Sequence, residues 1–183
     1  MTIEAGPEQL FTTRAQAADV EALVELVNGA YRGESSRRGW TTEAEYVGGG
    51  RIDAAALQDI IAAPDHAILV LRAQSGILAC VHVKKLSPAV SSIGLLTVRP
   101  ALQASGIGRR VLAAAENYAQ DTYGARMFEM IVVAEREELI AWYERRGYAA
   151  TGETRPFPYN DERFGVPKRD GLMMVVLQRR LAG

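Results

Sequence analysis

Cysteine occurs once, at Cys80, and histidine twice, at His66 and His82, in a chain of 183 residues. A lone thiol cannot form an internal disulfide and excludes a cysteine-based metal site. With only two imidazoles beside it, a structural metal is not expected. An excess of one charge is missing too, since 21 basic side chains face 22 acidic ones, a net of −1. Without a basic field nothing holds a phosphate backbone, which argues against a nucleic-acid partner. No apolar run approaches the ~20 residues of a membrane span, and residues 1–7 lack the basic and apolar blocks of a secretory leader. A cytoplasmic protein with no membrane partner is expected. What the chain does have is apolar substance, 48% of its residues. At this length that fills one core and not two, so a single domain over residues 1–183 is expected.

Periodicity divides the chain into elements. Residues 11–15 have strand character, and Val20, Leu23, Val24, Val27, Ala30 and Tyr31 then trace a helical stripe, with Asp19 and Glu21 at its positive end. A polar loop containing Trp40 leads through Gly48-Gly49-Gly50 to a second helix on Ala56, Leu57, Ile60 and Ile61, which Pro64 stops. Residues 66–72 and 76–84 read as a hairpin around Gln74-Ser75-Gly76, and residues 91–98 as a further strand. After a long helix come a strand at 127–133, a short helix at 137–146 with Gly147 as its left-handed stop, and strands at 148–154 and 172–179. The order β-α-α-β-β-β-α-β-α-β-β predicts an α/β sandwich with a mixed sheet and helices on both faces. Simple alternation through 91–98 puts Leu96 and Val98 on the side of Ser92 and Gly94. Cys80 sits in an apolar run and reads as core.

The most informative stretch is Val98-Arg99-Pro100-Ala101-Leu102-Gln103-Ala104-Ser105-Gly106-Ile107-Gly108-Arg109-Arg110. Pro100 removes a backbone donor and ends the strand. Ile107, Val111, Leu112, Ala115, Tyr118 and Ala119 share one helical face beyond it. The first-turn N–H groups of a helix have no intrahelical partner and carry the positive end of its dipole, and glycine at the start lets a phosphate come close. A nucleoside-triphosphate loop would need Lys-Ser/Thr behind its glycines, where Arg109-Arg110 stand. A dinucleotide fingerprint would need a small residue at position 111, where Val111 stands.

Gln103-x-x-Gly106-x-Gly108 behind a strand ending in Val-x-Pro resembles the acyl-CoA pyrophosphate loop of the GNAT superfamily of N-acetyltransferases. A second segment, Trp142-Tyr143-Glu144-Arg145-Arg146-Gly147-Tyr148, is similar to the aromatic-Tyr-Glu-x-x-Gly-Tyr/Phe motif that closes the next helix in that family. The resemblance implies a mixed, centrally splayed sheet flanked by helices, acetyl-CoA as co-substrate, and a pantetheine arm lying between strands 91–98 and 127–133. It implies cofactor contacts from Leu96, Thr97, Val98, Gln103, Ala104, Ser105, Gly106, Ile107, Gly108 and Arg109. Within this set the Leu96 amide would be the oxyanion donor, and the Val98 backbone would pair with pantetheine. Arg136 stands where many members carry an asparagine that contacts CoA; it is expected to reach a CoA carbonyl or phosphate, or an anionic substrate. The implied reaction is direct transfer of an acetyl group to a primary amine of a small molecule or peptide.

Such a transfer needs a deprotonated amine, a stabilised oxyanion and a proton for the departing thiolate. Tyr143 is the candidate for the last, because a phenol of pKa about 10 is protonated at neutral pH and faces a thiolate whose conjugate acid lies at about 8.5. The base is less evident. Many family members carry a glutamate where this chain has Ser91 and Ser92. Ordered water, Glu129 or Glu43 are the substitutes, and the serines keep open a catalytically weak acyl-CoA-binding module or an O-acetyltransferase. Tyr31, Trp40, His82 and Tyr159 are the expected acceptor-binding side chains, and edge strands near the C terminus allow a homodimer. If Trp40 touches the acceptor, Trp40→Ala raises the acceptor's KM several-fold and leaves that of acetyl-CoA unchanged, which initial-rate kinetics with each substrate varied in turn will show.

Overall fold

The computed structural model describes residues 9–32, 36, 39, 42–160 and 165–181; Trp40 lies outside them. Helix α1 (Val20–Tyr31) buries Val20, Leu23, Leu26, Val27, Ala30 and Tyr31, a stripe with the 3.6-residue period. Its start is tied to the sheet through Asp19, whose carboxylate accepts from the Gln16 amide at 2.8 Å and from the Arg72 guanidinium at 2.7 Å. Helix α2 (Ala54–Ala62) opens on Asp53, which accepts from the Ala56 amide at 2.8 Å. It closes at an extended Ala63, the conformation that Pro64 imposes on the residue before it. Helix α3 (Ile107–Tyr123) ends at Gly124 with φ 71°, and α4 (Glu137–Glu144) is the short helix of the second motif. No helix among the described residues is long and apolar enough to cross a membrane.

Seven strands form the main sheet: β1 (Phe11–Arg14), β3 (His66–Ala73), β4 (Gly76–Lys85), β5 (Val90–Val98), β6 (Met127–Val133), β7 (Ala149–Pro156) and β9 (Met173–Arg180). Their spatial order is β1-β3-β4-β5-β6-β9-β7, antiparallel except for β5 beside β6. A second ladder joins β2 (Val47–Gly48) to β8 (Val166–Pro167). It escaped the sequence reading because two residues carry no periodicity. On one face of the sheet Val111, Leu112, Ala115 and Ala119 of α3 pack on Leu69, Leu71, Ala79, Val81, Val83, Ile93, Leu96 and Val98. On the other, α1 and Leu57 of α2 cover Ile68, Val70, Ile77, Cys80 and Leu95.

Two irregularities in β5 shape the centre. Its parallel pairing with β6 runs through Val90↔Met127, Ser91↔Phe128 and Ser92↔Glu129, and no register pair follows, so the sheet is splayed as the family resemblance implied. On the opposite side Gly94 faces His82 and Thr97 faces Cys80, leaving Leu95 and Leu96 together opposite Val81. This is a β-bulge, and Leu95 occupies the left-handed region with φ 51°. The extra residue corrects the expected alternation. Leu96 and Val98 share a face with Ile93 against α3, while Leu95 turns to the α1 side.

His66 and His82 form a pair across β3 and β4, with His82 Nε2 and His66 Nδ1 3.0 Å apart. Burial, reinforced by the neighbouring His66, Lys84 and Arg51, pushes the His82 pKa down to about 4. The unfolded chain takes up that proton at the ordinary value of about 6.5, so it is the unfolded state that gains protons first on acidification. Stability is therefore expected to be complete above pH 6.5 and to decline between pH 6.5 and 4. His82→Gln should flatten that decline, as urea unfolding at a series of pH values will measure.

Candidate active site

The turn after β5 is built to expose backbone donors. Arg99 Nε donates to the Ile77 carbonyl at 2.8 Å, fixing the strand end, and Pro100 to Leu102 make one tight 3-10 turn. Gln103 Nε2 then donates to the Val98 carbonyl at 3.2 Å, and Ser105 Oγ to that of Leu102 at 2.6 Å. Ala104 and Gly106 both lie in the left-handed region, with φ 67° and 85°. Left-handed residues alternating this way turn successive amides into a concavity of the kind that accepts anions. Among the described residues no side chain caps the first turn of α3, and a Cβ placed on Gly106 would meet none of their atoms within 4 Å. These open amides face a cavity of about 370 Å³, lined by Gln103, Ala104, Gly106, Gly108 and Arg109 on one side and by Leu139, Trp142 and Arg146 of the α4 segment on the other.

Arg146 stacks 3.5 Å from the Trp142 ring centroid and donates through Nη1 to the Trp142 carbonyl at 2.6 Å. Its Nε is buried without a hydrogen-bond partner among the described residues. Burial, Arg145 and Arg109 all depress its pKa, so a bound anion would relieve this guanidinium. Sequence reasoning quoted Trp142 and Arg146 within the second motif without giving them a place in the site. Their spacing with Leu139, at i, i+3 and i+7, was the available signal for one helix face.

A second cavity, of about 80 Å³, lies where α1 meets the parted strands β5 and β6. Tyr31, Arg32, Glu43, Arg51, Arg136 and Tyr143 line it, together with Leu96 and Leu139, which it shares with the first. Glu43 is its electrostatic centre. Oε1 takes Arg136 Nη1 at 2.7 Å and Oε2 takes Arg32 Nη2 at 3.0 Å, with Arg51 Nε at 3.9 Å. Burial pushes the carboxyl up, but Arg136, Arg51 and Arg32 together overcome it and hold Glu43 below the ordinary range. Tyr31 donates from its buried hydroxyl to the Leu96 carbonyl at 2.8 Å. Leu96 itself has no register partner on either neighbouring strand.

The expected site residues divide accordingly. Leu96, Val98, Gln103, Ala104, Gly106, Gly108 and Arg109 line the first cavity, and Tyr31 and Tyr143 the second. Ser105 lies in the same turn, Ile107 packs partly buried on the core, and Thr97 turns its hydroxyl back to the Leu95 carbonyl at 2.9 Å. Arg136, expected to reach a CoA carbonyl or phosphate or an anionic substrate, lines the second cavity, where its Nη1 donates to Glu43 Oε1 at 2.7 Å. His82 lines neither cavity, since its ring is drawn to His66. Tyr159 lies outside both as well, its hydroxyl donating to the Arg169 carbonyl at 3.1 Å and accepting from the Leu172 amide at 2.7 Å. Glu129 faces Gln178 at 2.9 Å and Arg155 at 3.6 Å, away from either cavity. Burial pushes the Cys80 thiol up to about 12, so it is core rather than nucleophile.

The family model for the acetyltransferase (GNAT) family matches residues 21–148, well over half of the chain. The chain belongs to the GNAT family of acetyltransferases. No curated protein sequence matches it. Among solved structures it is similar to YncA of Salmonella typhimurium with its cofactor acetyl-CoA, at 18% identity and TM-score 0.70, covering 96% of this chain and 95% of that one. The ribosomal-protein-S18-alanine N-acetyltransferase of Escherichia coli aligns at 14% identity, TM-score 0.69 and 96% of both chains. A GNAT acetyltransferase of Elizabethkingia anophelis with acetyl-CoA bound aligns at 12% identity and TM-score 0.64, over 94% of this chain and 98% of that one. At these identities the likeness shows the GNAT fold.

Replacing Glu43 by glutamine keeps its shape and removes the carboxylate that Arg32 and Arg136 hold. Breaking a buried ion pair from one side costs about 3–5 kcal/mol. Glu43→Gln is therefore expected to lower the melting temperature by roughly 6 °C or more, at about 2–4 °C per kcal/mol for a domain of this size, in a calorimetric scan.

Proposed function

We propose that this GNAT protein moves an acetyl group from acetyl-CoA directly onto a primary amine, the two substrates meeting between Leu96 and Leu139. One observation carries the reading: one cavity adjoins the turn at Gly106 and the other surrounds Glu43, and these two leucines are the residues common to both. The first cavity fits the donor. Its open amides, its left-handed Gly106 with free space where a Cβ would stand, and the half-satisfied Arg146 are suited to a pyrophosphate. Acetyl-CoA, when bound, supplies an activated thioester.

The chain's own residues then have two tasks. Leu96, free of register partners, offers its amide to the charge that grows on the carbonyl oxygen, while Tyr31 holds the Leu96 carbonyl and so fixes the residue's orientation. Tyr143 stays protonated, because burial raises its pKa well above the ordinary phenol value. A phenol that weakly acidic gives sulfur a hydrogen bond rather than its proton as the C–S bond breaks. The proton that ends on the thiol is then the one the attacking nitrogen sheds as the C–N bond forms. No strong base lines the second cavity among the described residues, since Glu43 is a firmly ion-paired carboxylate. The amine therefore arrives in its neutral form from solution.

Thiol release in the presence of an amine panel tests this. Steady turnover is expected, with kcat/KM rising about tenfold per pH unit until the acceptor's own pKa. Tyr143→Phe should lower kcat by about 10²–10³-fold and leave the KM of acetyl-CoA unchanged. Turnover confined to hydroxyl acceptors would identify an O-acetyltransferase, and none at all an acyl-CoA-binding module.

A further inference from the structure

The second cavity holds a cation placed for a task that the transfer step does not require. Of the three arginines around Glu43, Arg136 and Arg32 lie within hydrogen-bond distance of its two oxygens, at 2.7 and 3.0 Å. Arg51 stands off at 3.9 Å, beyond hydrogen-bond reach, and its side chain is 26% exposed at the cavity. Among the described residues its guanidinium donates no hydrogen bond, and it lies over the Tyr31 ring, 5.7 Å from Cζ to centroid.

The backbone that carries Arg51 is held in place. The side chain of Asn28 on α1 clamps the segment, with Oδ1 accepting from the amides of Arg51 at 2.6 Å and Ile52 at 3.1 Å and Nδ2 donating to the Ile52 carbonyl at 2.9 Å. Three guanidiniums and one carboxylate are the charged side chains lining this cavity among the described residues, and Arg51 is one of the groups depressing the pKa of Arg32. An anion brought in by the substrate would relieve that repulsion. Tyr31 sets the distance involved, since its hydroxyl sits on the Leu96 carbonyl and its ring lies beneath Arg51. Leu96 and the spare guanidinium thus border the same Tyr31 side chain. That shared border suits an amine and a carboxylate joined by a short skeleton, and so does a cavity of about 80 Å³.

We infer that the acceptor of this transferase is a small amino acid, whose amine is presented at Leu96 while Arg51 receives its carboxylate as a forked, charge-assisted hydrogen bond. The inference rests on the transfer reading above and adds the substrate class to it.

The test compares L-amino acids with their carboxamides and with the corresponding decarboxylated amines at saturating acetyl-CoA. The acids are expected to exceed both analogues by tenfold or more in kcat/KM. Arg51→Gln should abolish that preference by slowing the acids, with the KM of acetyl-CoA unchanged, and Arg51→Lys should restore part of it. Equal rates for acids and amides in the unaltered protein, or a preference that survives in Arg51→Gln, would overturn the assignment while leaving the transferase reading intact. A calorimetric titration of the CoA-saturated protein with the same compounds separates the two. Acids that bind, lose binding in Arg51→Gln and yet are not acetylated support the Arg51 site and refute the transfer reading; no selective binding of acids together with no turnover refutes both.

Discussion

Beyond Ser92 and Glu129 the parallel strands β5 and β6 stop exchanging register pairs, and the middle of a seven-stranded sheet is left with unclosed backbone. Buried amides and carbonyls without partners cost free energy, so a gap of this kind persists only where other groups answer it. Tyr31 answers for the Leu96 carbonyl. The bulge at Leu95 and Leu96 answers in another way, by rotating Leu96 onto the α3 face where Leu139 and the α4 segment meet it. Splay and bulge together set one residue at the junction of two cavities, and both depend on β5 having neighbours that pair with it only at its start and on one edge.

The second organising element is a buried charge. Glu43 is taken out of water and returned to ionised form by three guanidiniums drawn from separate parts of the chain: Arg32 just after α1, Arg51 ahead of α2 and Arg136 ahead of α4. Such a cluster contributes little net stability compared with an apolar core, because desolvation offsets most of the attraction. Its effect is geometric. It joins the loop after α1 to the start of α4 across the opening of the sheet, and it gives the α1-side cavity a polar wall facing the apolar one formed by Leu96, Leu139 and Phe157.

Much of this was legible in the chain. The turn from Val98 to Gly108 announces itself because glycine, proline and glutamine at fixed spacing have few other uses, and β6 falls on residues 127–133 as the apolar run indicated. The bulge was not legible, since Leu95 and Leu96 are both apolar and nothing local marks the residue that is added; the alternation rule then misplaced Leu96 and Val98. The pairing of Arg136 and Arg51 with Glu43 was unreadable for a different reason. Their positions follow from pairing with a carboxylate far away in sequence, and one chain without its contacts offers no hint that Glu43 is the partner. His82 and Tyr159 went to local hydrogen bonds, which pattern alone cannot distinguish from contact with a substrate.

The boundary shared by the two cavities is made of hydrocarbon. Leu96 and Leu139 have no side-chain group that could anchor a water molecule, and a bound water needs two or more polar partners to remain. For a thioester lodged there as proposed, solvent is the competing nucleophile in greatest abundance, and the two leucine side chains add no polar group to the Leu96 amide on which a water could be held. Selectivity for an amine over water would then owe part of itself to what the leucine side chains lack.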